Sequence, residues 1–124
     1  MITKDDMINP LLEISPDFRP VLNDLLEKNR EFPIYLVLTE LAKYISMLHQ
    51  SNRIRELGNI FIIIEDWIAH GSTDIHEAVT SGLLEDLQDI KIVGSDVPQK
   101  LESYLLPETE RWWEKILCSW LKWE

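Results

Sequence analysis

The spacing of the apolar residues constrains this chain more than any other feature. Ile34, Leu38, Leu41, Ile45 and Leu48 recur at intervals of three and four, which aligns them on one side of an α-helix and scatters them over both sides of a strand. The same period runs through most of the chain, and nowhere does it give way to the strict alternation of a half-buried strand. Helix punctuation falls between the periodic segments. Ser15-Pro16-Asp17 offers a cap, a first-turn proline and an acid at the positive end of the helix dipole, although Pro20 moves the start toward Arg19-Pro20, and this helix is predicted to end near Asn29. A second helix opens at Pro33 and stops at Gln50-Ser51-Asn52, and a third runs from about Arg53 to Ala69. Gly71 suits a C′ position, Ser72, Thr73 or Asp74 caps a fourth helix reaching about Ile90, and Gly94-Ser95-Asp96-Val97-Pro98 reads as a loop. A short helix then reaches about Leu105, and the last runs from Pro107 through Trp120.

These signals define an all-α fold of about five to six helices whose short connectors imply antiparallel neighbours, either as a bundle or as stacked helical hairpins. At 124 residues the chain is read as one helical domain over 1–124, with residues 1–14 an N-terminal segment expected to be partly ordered. An apolar fraction of 45% and a charged fraction of 27% are those of a globular chain. Cys118 is the single cysteine, so no internal disulfide is possible, and Met1-Ile2-Thr3-Lys4-Asp5-Asp6 lacks the basic-then-apolar build of a signal peptide. A reducing cytoplasm is the expected location. The apolar run Ile60 to Ile64 is far too short to span a bilayer.

Charge points toward function. The net charge is −10, which disfavours direct contact with nucleic acid, because phosphate backbones reward Lys and Arg. Residues 56–96 hold nine acids against Lys91 alone, and so carry −8 of that −10. On the third helix Leu57, Ile60, Phe61, Ile64, Trp67 and Ile68 form a core face, while Arg55, Glu56, Asn59, Asp66 and His70 fall opposite, with Ile62 and Ile63 beside or within the polar strip. So much apolar circumference means either a central helix covered from several sides, the favoured reading, or a patch kept for a partner.

On the fourth helix Asp74, Glu77, Ser81, Glu85, Gln88 and Asp89 follow one another as an acidic stripe, with Ile75, Val79, Leu83, Leu87 and Ile90 facing the core. Most charged stripes are solvated faces that interleave both signs, since like charges at i,i+4 repel. Glu77, Glu85 and Asp89 have no basic neighbour at helical spacing, which suits a face kept for a cationic partner. Glu56, Asp66, Asp74, Glu77, Glu85 and Asp89 are therefore the predicted partner-binding residues.

The remaining candidates read as structural. Asp86 falls on the core side and requires a partner such as a helix end, an indole N–H or Arg111. Asp66 and His70 at i,i+4, with His76-Glu77 soon after, could offer metal ligands, but no HExxH, cysteine pair, phosphate loop or nucleophile elbow accompanies them. No enzyme activity, cofactor or metal is expected. Trp113, Ile116, Leu117 and Trp120 form a core stripe, Trp112 and Trp123 stand at its edge as candidate anchors, and Cys118 has no activating motif.

The segments FRPVLNDLLEKN, FPIYLVLTELAKYI, FIIIEDWIAHGSTDIHEAVTSGLLEDLQDI and LLPETERWWEKILCSW, spread in order over residues 17 to 120, resemble a family of small acidic all-helical bacterial proteins, some of this kind being immunity proteins of contact-dependent or polymorphic toxin systems. The resemblance implies an antitoxin that neutralises one cognate toxin domain, and acidity suits a basic nuclease. The competing expectation is a non-catalytic helical scaffold or adaptor whose acidic face binds a basic regulatory partner.

Overall fold

A computed structural model describes residues 1–121. Eight helices follow one another, with no strand among the described residues. They are α1 (Lys4–Ile14), α2 (Arg19–Lys28, entered through a 3₁₀ turn at Pro16–Phe18), α3 (Ile34–Gln50), α4 (Ile54–His70), α5 (residues 73–88), α6 (Ile90–Val93), α7 (Val97–Leu101, followed by a 3₁₀ turn at Glu102–Tyr104) and α8 (Pro107–Leu121). The all-α class holds. The two helices beyond the predicted six are α1 and α6.

The N-terminal segment is helical because Met7, Ile8, Leu11 and Leu12 form a buried stripe along α1. Pro10 stands inside this helix but faces outward, and an interior proline is the signal that hides a helix from sequence reading. Two contacts fix α1 to α4. The indole N–H of Trp67 donates to the Met7 carbonyl at 3.2 Å, and Ile2 forms an isolated parallel bridge with Gly71, its N–H donating to His70 O and its carbonyl accepting from Ser72 N, both at 2.8 Å.

Gly71 does not take the left-handed C′ conformation its identity suggests, since its φ is −71° and its ψ 153°. It is small for a different reason. A Cβ there would press on the Trp67 carbonyl oxygen and stand 2.8 Å from Ile75 Cγ2, so the corner between α4 and α5 closes only around a glycine.

Helix α5 is continuous but uneven, with α-turns at Thr73–Ala78 and Glu85–Gln88 flanking a π-helical stretch at Val79–Leu84. A π-bulge adds a residue to the turn and rotates everything after it relative to an ideal wheel. Gln88, predicted on the acidic stripe, is therefore buried. Asp89 then leaves the helix with extended backbone (φ −86°, ψ 108°) and starts α6, so Ile90, predicted in the core, is 57% exposed.

The core lies around α3 and α4. Val37, Leu38, Leu41, Ile45 and Leu48 from α3 meet Leu57, Ile60, Phe61, Ile64 and Trp67 from α4, and all are buried. α1, α3, α5 and α8 all pack against α4, which is thus central, as its broad apolar face predicts. Trp113 of α8 is buried beside it, but Leu117 and Trp120, predicted to continue that stripe, are exposed. The stripe that enters the core is Thr109, Trp113 and half-buried Ile116. Trp123 lies outside the described residues.

Candidate partner-binding surface

The six predicted recognition residues separate into two groups. Asp66 on α4 and Asp74, Glu77 and Glu85 on α5 are exposed, and none has a Lys or Arg within salt-bridge distance among the described residues. Asp66 has only the exposed His70 imidazole 4.0 Å away. Glu56 and Asp89 belong elsewhere.

Glu56 does not stand on the outer face of α4. Its side chain is only 13% exposed and ion-paired with Arg53, and its Oε2 accepts hydroxyl hydrogen bonds from Ser15 at 2.7 Å and Tyr44 at 2.8 Å. It ties the 3₁₀ turn, α3 and α4 together. Burial, and then the hydrogen bond to this carboxylate, pushes the Tyr44 phenol up to about 12. Asp89 is half-buried and accepts the Lys91 N–H at 2.9 Å as the N-cap of α6. Neither side chain is free for a partner without cost to the fold.

Other polar groups hold the helices in place. Asp86 finds its partner in the Thr39 hydroxyl of α3 at 2.7 Å, not in Arg111 or an indole. The Gln88 amide donates to the Trp113 carbonyl at 2.9 Å. His76 Nδ1 lies 2.9 Å from the Ile68 carbonyl; because a carbonyl only accepts, that nitrogen carries the proton. The other edge of the ring meets Trp112, with centroids 5.0 Å apart.

Sequence reasoning missed Glu65, a carboxylate that joins two helices. It accepts the Glu108 N–H at 3.1 Å, the Thr109 N–H at 2.8 Å and the Thr109 hydroxyl at 2.8 Å, so α4 caps the first turn of α8. Burial works against its ionised form, but the hydrogen bonds from Glu108 and Thr109 outweigh it and hold the carboxyl below its ordinary value. A signal was available: the residue before Pro107 is Leu106, which cannot cap, so this helix start needs an acceptor from elsewhere.

Between α5 and α8 runs a groove of about 330 Å³ lined by Thr80, Ser81, Glu85, Trp112, Lys115 and Trp120 among others. Lys115 Nζ lies 4.3 Å from the Trp112 ring centre, a cation–π contact. Glu85 lines the same groove, without a salt bridge to Lys115. At the opposite end of α5 the Ile2–Gly71 bridge brings the first turn of α1, with exposed Asp5 and Asp6, beside the α4–α5 corner. The same turn also carries exposed Lys4, so it brings both signs of charge to that corner, and only the fold brings them there.

Among the described residues no group of three or more His, Cys, Asp or Glu side chains converges as metal ligands. No helix among them is long and apolar enough to cross a membrane, and Cys118 is exposed. The chain belongs to the family described as domain of unknown function (DUF7674), whose model matches residues 8–121. No curated protein gives a significant match, and neither does any solved structure.

Proposed function

We propose that the protein is a non-catalytic binding protein of the immunity type, which neutralises a cognate basic toxin domain, a nuclease by class, by covering its active site or substrate groove. The observation that carries this reading is the surface left by α5: Asp74, Glu77 and Glu85 are exposed and, among the described residues, without Lys or Arg salt-bridge partners. Asp66 is exposed on α4, whose C-terminal end leads into α5. Like charges gathered on one side repel one another in the free protein, and a basic partner relieves that repulsion while being steered toward the face at long range. The cytoplasm, where a nuclease would meet its substrate, is the compartment this role requires.

The test pairs the protein with the product of the adjacent gene. Growth rescue on co-expression and rapid capture on a surface are expected for wild type, with an on-rate that falls as salt rises. Glu77→Lys/Glu85→Lys should fold normally, because exposed charges contribute little to stability, and should lose at least about tenfold in on-rate. Full protection and unchanged kinetics in the double variant would remove α5 from the interface. A partner that is captured without being toxic would favour the scaffold role.

A further inference from the structure

We infer that the outer face of α4 is a self-association surface that pairs, antiparallel and about a two-fold axis, with the same face of a second copy of the chain. This inference does not rest on the basic partner, although Asp66 belongs to both surfaces. It rests on an apolar residue that the fold leaves uncovered and on the charges placed around it.

Ile62 is 57% exposed although it belongs to the central helix. At about 100° per residue, Arg55, Gly58, Asp66 and Ala69 all lie within roughly 40° of it, and Arg55, Asp66 and Ala69 are exposed while Gly58 is half-exposed. α1, α3, α5 and α8 take up the rest of the circumference. The surface is thus one apolar knob with a small residue on each side, an arginine toward the N-terminal end and an aspartate toward the C-terminal end. A Cβ built on Gly58 meets nothing within 4 Å, so another backbone has room to approach there.

Charge complementarity selects the occupant. Arg55 has no carboxylate within salt-bridge distance among the described residues, and Asp66 has only His70. With the axis at Ile62, Gly58 stands opposite Asp66 of the second copy, and Arg55 stands opposite its Ala69. Asp66 of the second copy is three residues from that Ala69, about 4.5 Å along the helix, within reach of an arginine side chain. The absent side chain at Gly58 leaves space for the two to meet. Symmetry repeats the pair at the other end, which is the self-complementarity an isologous contact demands. A parallel pairing would set Arg55 against Arg55 and Asp66 against Asp66. One helix face makes a small interface, below about 1,200 Å², so the association is a transient one.

Sedimentation velocity on the full chain at up to about 1 mM tests the proposal, because that range reaches weak complexes. Wild type should rise from 14.6 kDa toward twice that mass with concentration. Arg55→Asp, Asp66→Arg and Ile62→Glu should each remain monomeric at concentrations where wild type is mostly dimeric, with unchanged helical CD because all three positions are exposed. An equimolar mixture of Arg55→Asp and Asp66→Arg should regain association, since each then offers the charge the other lacks. A wild type that stays at the monomer mass throughout overturns the inference, as do single variants that associate like wild type or a mixture no heavier than its components. None of these outcomes bears on the acidic residues of α5.

Discussion

Replacing Glu65 isolates a helix cap supplied by a different helix. In Glu65→Ala the N–H groups of Glu108 and Thr109 and the Thr109 hydroxyl lose their common acceptor, and Thr109 is fully buried. Loss of an ordinary N-cap costs about 0.5–2 kcal/mol. Here the acceptor is charged and faces the positive end of the α8 dipole, a further ~0.3–1 kcal/mol, and water replaces it poorly at the buried threonine. The expected loss is about 2–4 kcal/mol for Glu65→Ala and about 1–2 for Glu65→Gln, which keeps one acceptor oxygen. The sign of the pH dependence follows from the carboxyl being held below its ordinary value in the folded state. Its contribution is fully present above the unfolded value of about 4.3 and is lost as pH falls through the folded one. Urea unfolding followed by far-UV CD at pH 7 and at steps down to about pH 2 should show a gap between wild type and Glu65→Gln that holds to about pH 4.3 and narrows below it. Equal midpoints at pH 7, or a gap of the same size at both ends, would refute the capping argument.

Trp113→Ala should lower stability by about 3–5 kcal/mol, because the side chain is 1% exposed, whereas Trp120→Ala, 43% exposed at the edge of the groove, should cost distinctly less, about 1 kcal/mol; thermal melts in which both fall equally would return Trp120 to the core. Absorbance titration should show one tyrosine that resists ionisation until about pH 12 and disappears in Tyr44→Phe. The stability linked to that raised value is complete below the unfolded pKa near 10 and declines as pH rises through the folded one. Ionisation of all three tyrosines near pH 10 in the intact fold would contradict the buried link to Glu56.

Helices α2, α3, α4 and α8 were legible because each has a regular apolar period bounded by proline, glycine or a polar stop. α1 was not, since Pro10 interrupts the pattern while Met7, Ile8, Leu11 and Leu12 still bury. The acidic face was legible only in part. Asp74, Glu77 and Glu85 stay outside as the wheel predicts, but the wheel assumes one turn size, and the π stretch at Val79–Leu84 turns Gln88 inward. Glu56 shows a different limit. Helical spacing puts it with Asp66, yet its partners Ser15 and Tyr44 come from distant sequence, and no periodicity within α4 announces them. Helical spacing puts Ile62 and Ile63 beside or within the polar strip; Ile62 is exposed there, whereas Ile63 is buried, because four neighbouring helices cover the other sides.

The attachment of α1 to α4 also orders events during synthesis. Met7 accepts its hydrogen bond from Trp67, sixty residues further along the chain, and Ile2 waits for Gly71 in the same way. A ribosome adding about 5–20 residues per second therefore delivers α1 several seconds before the helix on which it rests. Throughout that interval Met7, Ile8, Leu11 and Leu12 have no native surface from α4 to cover them, and the early nascent chain must carry an uncovered apolar stripe past the exit tunnel before its destination exists.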